Sequence, residues 1–135
     1  MLVPKKTKYR KAHKFKNLGK ATSTNSVDFG SFGLKSVESC WITSRQIEAA
    51  RKVIAKYTKR GGKTWIRIFP DKPVTKKGGE IPMGKGKGPV DHYIAPVKAG
   101  TVIFELDGLS REVAEKAMSL AAYKLPVKCK FISKE

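Results

Sequence analysis

Acidic residues are scarce in this sequence and absent from its beginning: no Asp or Glu precedes Asp28, and the 135-residue chain holds only 11 in all. Cysteine is nearly missing as well. Cys40 and Cys129 stand far apart with no CxxC pair, and His13 and His92 are the only histidines. That poverty argues against a zinc site and a disulfide framework. Both thiols are expected to be reduced, in or near the core of an intracellular protein. No segment approaches the roughly 20 apolar residues needed to span a bilayer, and the charged N-terminus lacks the apolar stretch of a signal peptide. No nucleophile, base and orienting acid can be assembled from the spacing, so neither catalysis nor a cofactor nor a metal is expected. Arginine is scarce too. Lys outnumbers it 23 to 6, which favours point contacts with phosphates over bidentate reading of bases.

What the chain has in excess is positive charge: 29 Lys and Arg give a formal +18. Eight of these cations, Lys5, Lys6, Lys8, Arg10, Lys11, Lys14, Lys16 and Lys20, precede the first acid, with Tyr9, His13 and Phe15 among them. The stretch has no apolar periodicity and is expected to be disordered when free, because it cannot bury enough surface to offset its ordering entropy. A polycation of this density calls for a polyanionic partner. The interleaved rings point to nucleic acid, since they stack on unpaired bases while ammonium groups meet phosphates. A solubilising or targeting tail is the weaker alternative.

The remainder suffices for one modest core, giving a basic tail over 1–28 and a single domain over 29–135. The pattern predicts a strand over Leu34–Ile42, followed by a helix over Thr43–Arg60. Thr43-Ser44-Arg45-Gln46 forms a capping box, Ile47, Ala50, Ile54 and Tyr57 form the buried stripe, and Gly61-Gly62 ends the helix. Lys63–Phe69 reads as a strand stopped by Pro70 and Pro73. His92–Val97 and Thr101–Leu106 read as a β-hairpin about Lys98-Ala99-Gly100. Ser110 caps a second helix running to about Lys124, with Val113, Ala117, Leu120 and Ala121 along one face, and Val127–Ile132 reads as a last strand. The fold class is α+β: two helices on one side of a mainly antiparallel sheet. Trp41 and Trp65 are expected in the core, and Glu38, Glu48 and Glu105 at ordinary solvated or salt-bridged positions.

Pro70 to Val90 is too long for a mere connector. It carries Lys72, Lys76, Lys77, Lys85 and Lys87, and Gly84-Lys85-Gly86-Lys87-Gly88 alternates a residue without side chain with a cation. Backbone there can approach phosphates closely between two ammonium groups. Gly79 to Gly86 nearly matches a nucleotide-binding loop, but Gly86 stands where Ser or Thr is needed, and Pro82 and Pro89 spoil the turn and helix. The segment is read instead as an arm contacting polynucleotide.

These stretches carry a family resemblance. Met1-Leu2-Val3-Pro4-Lys5-Lys6-Thr7-Lys8-Tyr9-Arg10-Lys11, Phe29-Gly30-Ser31-Phe32-Gly33-Leu34, Arg45-Gln46-Ile47-Glu48-Ala49-Ala50-Arg51, Trp65-Ile66-Arg67-Ile68-Phe69-Pro70-Asp71-Lys72-Pro73, Met83-Gly84-Lys85-Gly86-Lys87-Gly88 and Lys124-Leu125-Pro126-Val127-Lys128 resemble, in order and spacing, the bacterial large-subunit ribosomal protein sixteen family. The resemblance runs end to end. It implies an α+β protein on 23S-type ribosomal RNA, near the base of the central protuberance. There it would help organise the aminoacyl-tRNA site, contact tRNA, enter late in subunit assembly, and sit as a monomer among neighbouring ribosomal proteins, away from membranes. It implies ribosomal RNA contacts by Lys5, Lys6, Lys8, Tyr9, Arg10, Lys11, His13, Lys14, Lys16, Arg45, Arg51, Lys59, Arg60, Arg67 and Lys72. Lys76, Lys77, Met83, Gly84, Lys85, Gly86, Lys87 and Gly88 would face RNA and tRNA. Because the match starts at Met1, a bacterial protein acting in the cytoplasmic ribosome, or one made inside an organelle, is expected. Pro82 stands where relatives commonly have Arg, so no role of that Arg carries over, and His92-Tyr93 replaces a Tyr-Trp pair. Composition alone would also allow an architectural nucleoid or DNA-binding protein, but no helix-turn-helix, zinc finger or basic zipper supports it. A cationic membrane-surface protein would need the apolar side of the first helix, which the core uses.

Overall fold

Among the described residues, two apolar stripes, each at helical spacing, and seven short β segments decide the layering. The computed structural model describes residues 2–5, 20–59, 61–75 and 90–134. In chain order they form β1 (Phe32–Ser36), β2 (Cys40–Thr43), α1 (Ser44–Tyr57), β3 (Lys63–Ile66), β4 (Lys72–Thr75), β5 (Val90–Val97), β6 (Val102–Asp107), α2 (Arg111–Ala122) and β7 (Cys129–Ser133). The strands make two sheets, β3-β6-β1-β7 and β2-β5-β4, in which every pairing is antiparallel. The helices pack on each other, α2 against β1 and β7 and α1 against β2 and β5. The α+β class is therefore as expected, with two sheets in place of one.

α1 starts where the capping box placed it. The Thr43 hydroxyl accepts the Gln46 N–H at 3.2 Å, and the Gln46 side chain accepts the Thr43 N–H at 2.9 Å. Ile47, Ala50 and Ile54 are buried, whereas Tyr57, in the last turn, is 40 % exposed. Thr43→Ala is expected to lower stability by about 1 kcal/mol, the usual contribution of such a cap. Urea denaturation checks this, and an unchanged midpoint would mean the cap is redundant. On α2 the buried face is Ala114, Ala117, Met118 and Ala121, turned from the expected one so that Val113 and Leu120 are only half-buried.

The β-hairpin was expected in the wrong place. β5 and β6 are consecutive but lie in different sheets, because Lys98-Ala99-Gly100 carries the chain across. Gly100 takes φ 95°, and the Ser36 and Ser39 hydroxyls meet the Lys98 carbonyl and Ala99 N–H. The true hairpin is β4–β5, with Lys72 opposite Ile94, Val74 opposite His92 and Thr75 opposite Val90. Pro73 is tolerated because β4 is an edge strand. Likewise the single strand expected over Leu34–Ile42 breaks after Ser36, whose N–H turns to the Thr101 carbonyl, and β2 joins the second sheet.

Residues 20–31 lie across the first sheet: the Ala21 N–H donates to the Ala99 carbonyl, the Val102 N–H to the Thr24 carbonyl, and Val27 is buried. Cys40 and Cys129 are both half-buried. Burial pushes both thiols up to about 11, helped by Glu38 at Cys40 and by Cys40 at Cys129.

Candidate nucleic-acid interface

Glu105 lies in β6 between apolar neighbours, and its side chain is fully buried. A carboxylate in such a place must be satisfied by several donors. One oxygen accepts the backbone N–H groups of Asp28, Phe29 and Gly30 at 3.1, 2.8 and 2.8 Å. The other accepts from the Arg67 guanidinium. Burial alone would raise the carboxyl pKa; the Gly30 N–H, the Arg67 guanidinium and the Phe29 and Asp28 N–H groups outweigh it and hold it below the usual range. Arg67 also reaches Asp28 Oδ2 at 3.2 Å, and its guanidinium lies 4.8 Å over the Phe29 ring. Phe29 in turn stacks on Trp65 at 6.2 Å between centroids. This clamp holds residues 28–30 against β6.

Arg67, expected on RNA, thus has its side chain turned inward and only 12 % exposed. Arg51 is paired with Glu48 across one turn of α1, which lowers the Glu48 pKa and raises that of Arg51. Trp65 is half-buried and Trp41 is 37 % exposed rather than in the core. The signal for Glu105 was present in the sequence: it is a single acid inside Val102-Ile103-Phe104-Glu105-Leu106. Its partners, 38 and 75 to 77 residues away, were not legible.

Val3, Thr43, Ser44, Arg45, Val90, Asp91, His92 and Tyr93 line a cleft of about 630 Å³. The start of the chain and the returning strand of the β4–β5 hairpin therefore meet beside Arg45, with exposed Lys5 close in sequence to Val3. His92 Nδ1 lies 2.7 Å from Asp91 Oδ2. Lys59, just past the end of α1, is exposed with φ 54°, and Lys72 is half-buried on β4. Lys6, Lys8, Tyr9, Arg10, Lys11, His13, Lys14, Lys16, Arg60, Lys76, Lys77, Met83, Gly84, Lys85, Gly86, Lys87 and Gly88 lie outside the described residues. Among the described residues no group of His, Cys, Asp and Glu could hold a metal ion, and no helix is long and apolar enough to cross a membrane.

A family model described as Ribosomal protein L16p/L10e matches residues 4–132. The chain is 58 % identical over 135 residues to the large ribosomal subunit protein uL16c of Phaeodactylum tricornutum, covering 100 % of this chain and 98 % of the relative. It is 58 % identical over 132 residues to the protein of the same name from Thalassiosira pseudonana, covering 98 % and 96 %. For that of Cyanidium caldarium the identity is 56 % over 135 residues, covering 100 % and 96 %.

Proposed function

Because the chain belongs to the ribosomal protein L16p/L10e family, and is accordingly a structural constituent of the large ribosomal subunit rather than an enzyme, we propose that it holds large-subunit ribosomal RNA through the basic segment 5–16 and the Gly and Lys sequence of 76–89. The second of these also meets tRNA at the aminoacyl site. The observation that carries this reading is the shared cleft: the start of the chain and the β4–β5 hairpin that bears 76–89 meet beside Arg45. Two basic sequences rooted at one end of a +18 protein concentrate charge on one stretch of polyanion.

The chemistry is neutralisation and positioning. Lys supplies mobile point charges that displace counterions from phosphates, a sequence-independent gain that fixes a register without reading bases. Gly84, Gly86 and Gly88, alternating with Lys85 and Lys87, let backbone lie against the sugar-phosphate chain. Arg67 belongs to the clamp in this reading and Arg51 is shared with Glu48, so the contacts fall to Lys5, Arg45, Lys59, Lys72 and the two basic sequences. Neighbouring ribosomal proteins complete its surroundings, and a late place in subunit assembly follows if the RNA it bridges must first be folded.

Replacing Lys85 and Lys87 by Ala tests the role of 76–89. Stability is expected to change by less than about 0.5 kcal/mol, the usual scale for surface substitutions. Subunits carrying the variant should retain it but bind aminoacyl-tRNA more slowly. Full occupancy with a wild-type rate would remove the tRNA role, and lost occupancy would reassign the segment to anchoring.

A further inference from the structure

β1 and β7 are paired so that Lys35 stands directly opposite Lys130. Like charges placed opposite each other across an antiparallel pair repel, and three more lysines join them. Lys128 lies one step from the strand, its carbonyl accepting the Val37 N–H at 2.9 Å. Lys98 offers its carbonyl to the Ser36 hydroxyl at 3.0 Å. Lys20 is bridged to Ala99, and a Cβ built on Gly100 would lie 3.9 Å from Lys35 Cε. Four separate segments thus bring five lysines to one corner. Lys20, Lys98, Lys128 and Lys130 are exposed, Lys35 is half-buried, and 20–24, 34–37, 98–101 and 128–131 contain no acid. Among the described residues none of the five forms an ion pair with a carboxylate.

This corner is not part of the cleft beside Arg45. Lys98 follows Val97, while the cleft is lined by Val90 to Tyr93, and the last four residues of β5 separate the two by roughly 16 Å.

We propose that Lys20, Lys35, Lys98, Lys128 and Lys130 form a second phosphodiester-binding site, which takes a separate stretch of RNA backbone, so that the folded body clasps RNA at both ends of β5. The proposal rests on the reading of the chain as an RNA-binding ribosomal protein. Its physical ground is that repulsion tolerated at a fixed strand register is relieved by an anion bound over it, and that lysines without acidic partners release counterions when phosphates arrive.

The test replaces Lys35, Lys98 and Lys130 by Gln in the full chain and uses purified 23S-type ribosomal RNA as the probe. The slope of log affinity against log salt is expected to fall by about 2, three contacts at 0.7 to 0.9 each. Backbone cleavage protection should lose one of two separated segments. The free variant should unfold at the same temperature as wild type or a higher one, since the opposed charges are gone. A triple replacement by Arg should keep the wild-type slope. If the Gln variant keeps both the slope and the protection while a variant neutralised in the basic segment loses slope, the second site is overturned and the RNA reading stands. Lost affinity in the Arg variant would also overturn it, by tracing the effect to shape rather than charge. If the wild-type protein does not bind the RNA, the broader reading fails first and the second site with it.

Discussion

Glu105→Ala should lower the stability of the free protein by about 3–5 kcal/mol, the scale for removing one member of a buried ion pair. The Arg67 guanidinium, 12 % exposed, would keep only the exposed carboxylate of Asp28, and the N–H groups of Asp28, Phe29 and Gly30 would lose their acceptor. In a domain of about a hundred residues each kcal/mol shifts the unfolding temperature by about 4–8 °C, so the midpoint should fall by well over 10 °C. The same carboxylate gives the fold an acid limit. Its folded pKa lies below the ordinary 4.5, so its contribution is complete above that value and disappears as pH falls through the lower folded one. Glu105→Gln, which carries no charge at any pH, should flatten this part of the stability curve. Denaturant unfolding of the three proteins from neutral pH into the acid range checks both statements. A loss under 1 kcal/mol for the Ala variant, or an unchanged acid limb in the Gln variant, would show that the clamp is not what holds residues 20–31 to the sheet.

Replacement of Lys5, Lys6, Lys8, Arg10 and Lys11 by Gln should act on binding and leave folding alone. Each phosphate contact adds about 0.7–0.9 to the magnitude of the slope of log affinity against log salt. The wild-type slope is expected to exceed about 4, and the variant should lose most of that amount. Over a fourfold rise in salt, a slope of about 4 is worth roughly two hundredfold in affinity, so the gap between the proteins is widest at low salt. Filter binding to large-subunit RNA across a salt series measures it, and thermal unfolding controls for the fold. A slope equal to wild type would place this segment off the phosphates and leave the RNA contacts to Arg45, Lys59, Lys72 and 76–89.

The two experiments separate anchoring from contact. In the proposed reading Glu105 bears on RNA only through the fold, so its loss should weaken binding in proportion to the unfolded fraction. The lysines act by charge and should leave the unfolding curve in place.

Charge, capping and helix periodicity were legible in the sequence because each is a property of neighbours along the chain. The +18 excess needs no fold to be counted. Thr43 and Gln46 reach each other across three positions, and Ile47, Ala50 and Ile54 share a face whatever they pack against. Family membership was legible for the same reason, since ordered strings of residues carry it. Strand partners were not. A strand such as Val90–Val97 satisfies its backbone equally well beside the next segment or beside a distant one. Only the turn at Lys98-Ala99-Gly100 and the burial of both faces of β6 sent β5 to β2 and β4. The inward Arg67, the clamp on Glu105 and the opposed Lys35 and Lys130 all depend on such pairings, between residues 38, 75 and 95 positions apart. Local chemistry set how much charge this protein carries and which segments coil into helices. Long-range pairing, whose energy depends on which distant surfaces meet, decided which cations face inward and which face outward.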